Sequence, residues 1–269
     1  MFSFFRYIKN KTPKLKLFWL FFGSIYRLFI TILNINFPVN QYISIYGPFK
    51  IHCFFAFSNF KIWGSEDGSV FPLMMKKCIN KKCIIDIGAH IGLTTLPISS
   101  QIKKNSNIFS FEPSNINRKY LNFHLFINNI KNVTVIDTLV GKRNSKNINF
   151  YESKKPTGMN SIINIKENHS LIKKNQISLD NFVNEKKIKP DLIKIDAEGS
   201  ELYILEGAIN ILKKFKPDIF LSVHKNHLKK LNVSESQIIN LIKKYGYKIK
   251  DSEEKVTDNL SKNEYYLSC

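Results

Sequence analysis

One ten-residue stretch restricts the fold more than any other: Cys83-Ile84-Ile85-Asp86-Ile87-Gly88-Ala89-His90-Ile91-Gly92. It reads as an apolar strand that ends in an acid and then makes a glycine-rich turn into a helix. Gly88 and Gly92 allow the backbone to turn sharply and let a ligand lie close against it. In an α/β domain this arrangement puts a ligand at the carboxyl end of the first strand. A second strand, Ile108-Phe109-Ser110-Phe111-Glu112, closes on an acid that lies 112 − 92 = 20 residues beyond the second glycine. A carboxylate at that distance is placed to hold a ribose through its hydroxyls, with Pro113 beside it. Two acids and two glycines in this order describe a nucleoside site.

The local chemistry separates two ligand classes. A dinucleotide site carries G-x-G-x-x-G and aims a helix N-terminus at a pyrophosphate. Here the glycines are spaced G-x-x-x-G, and Asp86 would set a negative charge beside two phosphates. S-adenosylmethionine has no phosphate and carries a cationic sulfonium and a cationic ammonium. An acid at this turn suits that ligand and opposes NAD.

Further elements follow in alternation. Tyr42–Tyr46 and Ile51–Phe57 read as a short hairpin around Gly47-Pro48, and Val70–Cys78 as a helix. Val133-Thr134-Val135-Ile136-Asp137 is a β-branched strand whose end, at Asp137, edges the adenine pocket. Ile148–Tyr151 and Ser161–Ile165 look like short strands, and the Gly158-Met159-Asn160-Ser161 stretch could shape an acceptor site. Leu192–Ile195 and Asp218–Val223 are strands, with a helix from Glu201 to Phe215 between them. A helix near Glu235–Tyr245 and strands around Tyr247–Ile249 and Tyr265–Leu267 end the chain. The alternation implies right-handed crossovers and a mainly parallel sheet covered on both faces.

Three segments together resemble the FkbM-family methyltransferases: Asp86 to Gly92, Phe111-Glu112-Pro113-Ser114, and Lys194-Ile195-Asp196-Ala197-Glu198-Gly199-Ser200-Glu201-Leu202 with Leu205-Glu206-Gly207-Ala208. The likeness runs from about Asn59 to about His224, and the Ile-Asp-x-Glu-Gly-x-Glu block is its most specific part. It implies a Rossmann-like sheet of seven strands, the last antiparallel, and S-adenosylmethionine held by Asp86, Gly88, Ala89, His90, Gly92, Glu112, Pro113, Asp137 and Asp196. It also implies that the segment before the first strand lies over the cofactor, with Glu66 near it. Two residues depart from the pattern. His90 stands where the family usually has Asn, and Pro97 is expected to kink or shorten the helix after the turn.

Catalytic residues are expected where the fourth and fifth strands end. Methyl transfer to a hydroxyl needs aligned reactants and removal of a proton. His224 has an ordinary pKa suited to a base, Asp196 could orient it, and Glu198 lies beside them. Glu201 reads as an acid complementing a helix dipole. His224 and His227 offer no clear third partner for a metal, so none is expected.

The chain carries a formal net charge of +20, which favours polyanionic partners, yet only four of its 41 basic residues are arginine. Arginine forks do much of the specific work at bases and phosphates, so their scarcity argues against nucleic acid. Four cysteines show no metal-finger spacing and read as reduced thiols of a cytoplasmic protein. Lys9, Lys11, Lys14 and Lys16 precede the apolar run Leu17-Phe18-Trp19-Leu20-Phe21-Phe22, and Arg27 interrupts its continuation to Leu33. This pattern fits a helix in a membrane interface, a helix packed on the domain or on a second subunit, or, at greater cost, a span.

The expected architecture is therefore α/β: an N-terminal extension over 1–60, a basic-apolar helix with a short hairpin, and a methyltransferase domain over 61–269. The expected reaction is O-methylation of a sugar, glycan or secondary-metabolite acceptor, with peripheral membrane contact through residues 1–36. An RNA methyltransferase, favoured by charge alone, and a non-catalytic membrane-attached module are the alternatives.

Overall fold

The computed structural model describes residues 2–164 and 168–269. Two helices, α1 (Phe2–Lys11) and α2 (Lys16–Ile32), precede a hairpin of β1 (Pro38–Ile43) and β2 (Tyr46–His52). Then come α3 (Phe71–Cys78), β3 (Cys83–Ile87), α4 (Thr95–Gln101), β4 (Asn107–Phe111), α5 (Asn115–Ile127) and β5 (Val133–Ile136). A side sheet is built from β6 (Leu139–Val140), β7 (Ser145–Ser153) and β8 (His169–Ile177). The chain returns through α6 (Leu179–Lys186), β9 (Leu192–Ile195), α7 (Glu201–Glu206), α8 (Ile209–Lys214) and β10 (Asp218–Ser222). It ends with α9 (Lys225–Lys230), α10 (Glu235–Lys244), β11 (Lys248–Lys250) and β12 (Glu264–Ser268).

The main sheet has seven strands in the order β11-β12-β10-β9-β3-β4-β5. The β10-β9-β3-β4-β5 run is parallel, and β12 lies antiparallel between β10 and β11. Successive residues of a strand face opposite sides. Ile85 and Ile87 therefore pack with Phe111, Leu205 and Ile211, while Ile84 packs with Met74, Met75, Ile108 and Phe220 on the other face. Each fully buried side chain of this size contributes about 2 kcal/mol. Burial on both faces explains why β3 and β9 are almost uniformly apolar. Strand order reverses across β9-β3-β4, and that reversal opens a crevice at the carboxyl ends.

Serines set several helix starts: the Ser114 hydroxyl accepts from Asn117 N at 3.2 Å, and the Ser178 hydroxyl from Asn181 N at 3.3 Å. The hairpin is part of the packed body, with Ile43, Phe49 and Ile51 sharing a core with Ile91, Leu96, Leu121 and Leu125.

Five local expectations change. The hairpin turns at Ser44-Ile45, three residues before the expected Gly47-Pro48, which lies inside β2. The single helix expected over Glu201–Phe215 is two, because the chain at Gly141 crosses tightly against Gly207; a Cβ there would meet the Gly141 carbonyl at 2.1 Å. Pro97 falls in the first turn of the seven-residue α4, where a missing N–H costs nothing. The strand expected at Ile148–Tyr151 is the middle of the longer β7, and its partner is β8. Of the strand expected over Ser161–Ile165, only a single bridge from Ser161 to Tyr151 is seen, and Ile165 lies outside the described residues.

Candidate active site

A cavity of about 580 Å³ occupies the crevice, walled by the ends of β3, β4, β9 and β10 and by the loop that carries Gly158, Asn160 and Ser161. The glycine turn is held by the neighbouring strand: Gly88 N and Ala89 N both donate to Phe111 O at 3.0 Å. Gly88 has φ +77°, and a Cβ there would lie 1.9 Å from Asp196 O. The close approach that requires glycine is thus to the chain leaving β9.

Glu112 is buried on the cavity wall and accepts from His90 N at 2.7 Å and Ser114 N at 2.9 Å. Burial pushes its pKa up to about 7, against those two hydrogen bonds. Burial also lowers His90 to about 4, so its ring is neutral; its buried Nε2 makes no hydrogen bond among the described residues. Ala89 and Pro113 complete this part of the wall.

Asp86 corrects the electrostatic argument made from sequence. It is fully buried under the turn, accepts from Thr95 Oγ1 at 2.7 Å, and is not part of the cavity wall. Its charge is met by Lys194, whose Nζ lies 3.4 Å from both Asp86 Oδ1 and Asp196 Oδ2 and donates to Gly88 O at 2.8 Å. Asp86 and Asp196 thus share one ammonium, and of the two carboxylates only Asp196 lines the cavity. Gly92 lies behind the wall against Leu121. Asp137 is also displaced: it pairs with Arg118 at 2.8 Å and Lys174 at 2.7 Å, while Thr138, Leu139 and Val140 line the cavity in its place. Glu66 borders a smaller neighbouring chamber that shares Trp63, Thr94, Lys194 and Asp196 with the main one.

The ends of β9 and β10 bring together Asp196, Glu198 and His224, all on the cavity wall. His224 Nε2 lies 3.5 Å from Asp196 Oδ1 and 3.6 Å from Glu198 Oε1. Its Nδ1 is held at 2.7 Å by Glu201 Oε1, a fully buried carboxylate that also accepts from Gly199 N at 3.0 Å. Burial alone would lower the His224 pKa, but the Glu201 hydrogen bond and the charges of Asp196 and Glu198 overcome it and push it up to about 9. His224 is thus an imidazolium at neutral pH, where the sequence suggested a base of ordinary pKa. Burial raises Glu198 to about 7, and only partly does the His224 charge counter this. Burial opposes ionisation of Asp196 as well, yet Lys194 and His224 hold it below the usual carboxylate range.

One ligand atom each from Asp196, Glu198 and His224 falls within 4.8 Å of the others, a spacing able to hold a metal ion. Sequence reading found no clear third ligand beside His224 and His227, whereas the structure sets two carboxylates beside His224. Binding there would require His224 to give up its proton.

The FkbM methyltransferase domain family model matches residues 86–249, spanning both the glycine turn and this cluster. The chain belongs to that family. No curated protein matches it. Among solved structures, an FkbM methyltransferase from Methylobacillus flagellatus is 20% identical with a TM-score of 0.45, covering 70% of this chain and 43% of its own. The chain thus spans less than half of that relative. An O-methyltransferase described as putative from Klebsiella pneumoniae is 12% identical (TM-score 0.44, covering 75% and 78%). M. jannaschii TYW2, solved with AdoMet, is 13% identical (TM-score 0.38, covering 86% and 83%).

In this FkbM-family site, sequence reasoning missed Lys194 as the central cation and Glu201 as the partner of His224. Glu201 had a readable signal: it stands four residues before Leu205, on the buried stripe of its helix. It missed Glu264 as well, which lies on the wall and accepts from Val70 N at 2.8 Å and Ser69 Oγ at 2.9 Å. The Met159-Asn160-Ser161 segment does reach the site, and Ser161 Oγ donates to Glu198 O at 2.7 Å.

Proposed function

We propose that this chain transfers a methyl group from S-adenosylmethionine to a hydroxyl oxygen of a sugar, glycan or secondary-metabolite acceptor. The observation that carries the reading is Glu198, a wall carboxyl raised to about 7 beside an imidazolium. A proton acceptor works best when its pKa lies near the operating pH. The cavity volume of about 580 Å³ falls within the range of small-molecule sites. The unbonded Nε2 of His90 and the carboxylates of Glu112 and Asp196 suit a ligand that offers both hydroxyls and positive charge.

When bound, S-adenosylmethionine supplies a methyl group activated on a sulfonium. In this reading Glu112 and His90 bind the nucleoside, and Glu198 accepts the proton of the acceptor hydroxyl. His224, kept cationic by Glu201, favours the ionised form of Glu198 and so keeps it available as a base. Asn160 and Ser161 offer hydrogen-bonding groups to the acceptor from the facing loop.

Calorimetry with S-adenosylhomocysteine, run beside labelled-methyl transfer to glycan and metabolite extracts, tests the reading. Binding is expected, with Glu112→Gln weakening it. Glu198→Gln should retain binding and lower turnover by about 10²-fold or more. Uptake of NAD with no uptake of the adenosyl compound would overturn the cofactor assignment. Full turnover in Glu198→Gln would overturn the proton acceptor.

A further inference from the structure

The N-terminal helices carry a surface that the site does not use. One face of α2 is fixed to the body: Ile30 is buried, the Tyr26 ring lies 4.9 Å from that of Phe57, and Tyr26 Oη donates to Cys53 O at 3.1 Å. The opposite face is apolar and bare. Leu17, Phe21, Ile25, Leu28 and Ile32 recur at helical spacing and are 82, 67, 50, 60 and 70% exposed. Among the described residues, 13 of the 21 exposed large hydrophobic side chains fall between Phe4 and Leu33. Scattered exposed hydrophobics are ordinary, whereas a continuous face of them marks an interaction surface.

Charge identifies the occupant. Residues 1–65 contain eight lysines and arginines and no aspartate or glutamate; the first acid is Glu66. Lys11 and Lys14 are exposed at the corner where α1 meets α2. A second copy of the chain, docked face to face, would bring two acid-free, cationic surfaces together with no carboxylate to pair them. An anionic lipid surface supplies both an apolar layer for the bare face and negative charge for its rim. No described helix is long and apolar enough to span a membrane, and Arg27, costly within a span, lies within α2.

We infer that the α1–α2 surface docks on an anionic bilayer, with α2 lying in the interface and its Leu17–Phe21–Ile25–Leu28–Ile32 stripe turned into the lipid. The attachment is independent of the reaction proposed above. It gives the enzyme a means of working beside acceptors held at a membrane.

The test is flotation of the full chain with phosphatidylcholine vesicles, with and without phosphatidylglycerol. The chain is expected to float with the anionic vesicles, with binding weakened by ~0.5 M salt and at least about tenfold weaker on the neutral ones. A Phe21→Ser, Leu28→Ser, Ile32→Ser triple variant changes only exposed positions. It should lose flotation about tenfold or more while keeping its circular dichroism and its thermal transition. A full chain that stays unbound with both vesicle types would overturn the inference. So would sedimentation as a dimer that the triple variant dissociates, since that would make the occupant a second copy. Equal binding by the triple variant would also overturn it.

Discussion

The two halves of the cavity solve opposite electrostatic problems. Around the glycine turn, the polar groups are mostly quenched: Glu112 receives two backbone N–H groups, His90 is neutral, and Asp86 is met by Thr95 and Lys194. At the ends of β9 and β10, three carboxylates crowd one imidazole, and the ionisable groups there are displaced from their ordinary values. A low dielectric penalises any charge that is left alone: in the first half burial is what displaces Glu112 and His90, whereas in the second the neighbouring carboxylates overcome burial and keep His224 charged. In the function proposed above, the first half holds the nucleoside and the second moves a proton. The halves meet at Gly88 and Asp196, whose backbones touch.

The largest expected effect attacks that seam. Gly88→Ala places a methyl group 1.9 Å from the Asp196 carbonyl at a φ of +77°. The turn or the chain leaving β9 must move, and either shift separates the two halves. Stability should fall by about 4 kcal/mol, with methyl transfer lost. Chemical denaturation measures the first and a labelled-methyl assay the second. A stable, active Gly88→Ala protein would mean that the two halves are not built on this contact.

The sequence exposed these halves unequally. The β3 turn and Glu112 were legible because everything that defines them is local: an apolar strand, two glycines and a strand-ending acid within thirty residues. The seven-stranded sheet followed from the alternation of elements. Roles that depend on a distant partner were not legible. Asp86 and Asp137 read as ligand contacts, but their ion-pair partners Lys194, Arg118 and Lys174 arrive from other strands and a helix, so these pairings were not legible. His224 looked like an ordinary base because Glu201 reaches it only after α7 packs beside the end of β10. The β8 strand was missed because Lys173-Lys174-Asn175 gives it no apolar rhythm.

A smaller effect sharpens the contrast by weakening only the proton-moving half. Glu201→Gln keeps an acceptor for His224 Nδ1 but removes the buried negative charge that helps hold the ring cationic. The His224 pKa should fall from about 9 toward the ordinary histidine value, with turnover reduced about tenfold and cofactor affinity unchanged. In a pH–rate profile, activity in the parent enzyme rises through about 7 as Glu198 ionises and declines through about 9 as His224 loses its proton. In Glu201→Gln the alkaline limb should move to lower pH while the acid limb stays nearly fixed. A profile displaced as a whole, or not at all, would show that Glu201 is only a packing element.

The smallest effect needs no substrate. The folded His224 pKa of about 9 lies above the ordinary histidine value of 6.5, so the folded state binds the proton more tightly than the unfolded chain. Its contribution is fully present below pH 6.5 and is lost as pH rises through 9. Glu198 and Glu112, both raised to about 7 from 4.5, act in the same direction but have finished titrating soon above neutrality. A decline in melting temperature between pH 7.5 and 9 therefore reports mainly His224: Glu198 and Glu112 are mostly ionised by then, Asp196 is held below the usual carboxylate range, Lys194 above its ordinary value and His227 below its own. Calorimetry should find a fall of roughly 5 °C across that window. In His224→Gln the same window should be nearly flat. An unaltered slope in the variant would mean that the imidazolium is stabilised no better in the fold than in water, and the distinction between a half displaced by burial and a half where carboxylates overcome it would fail.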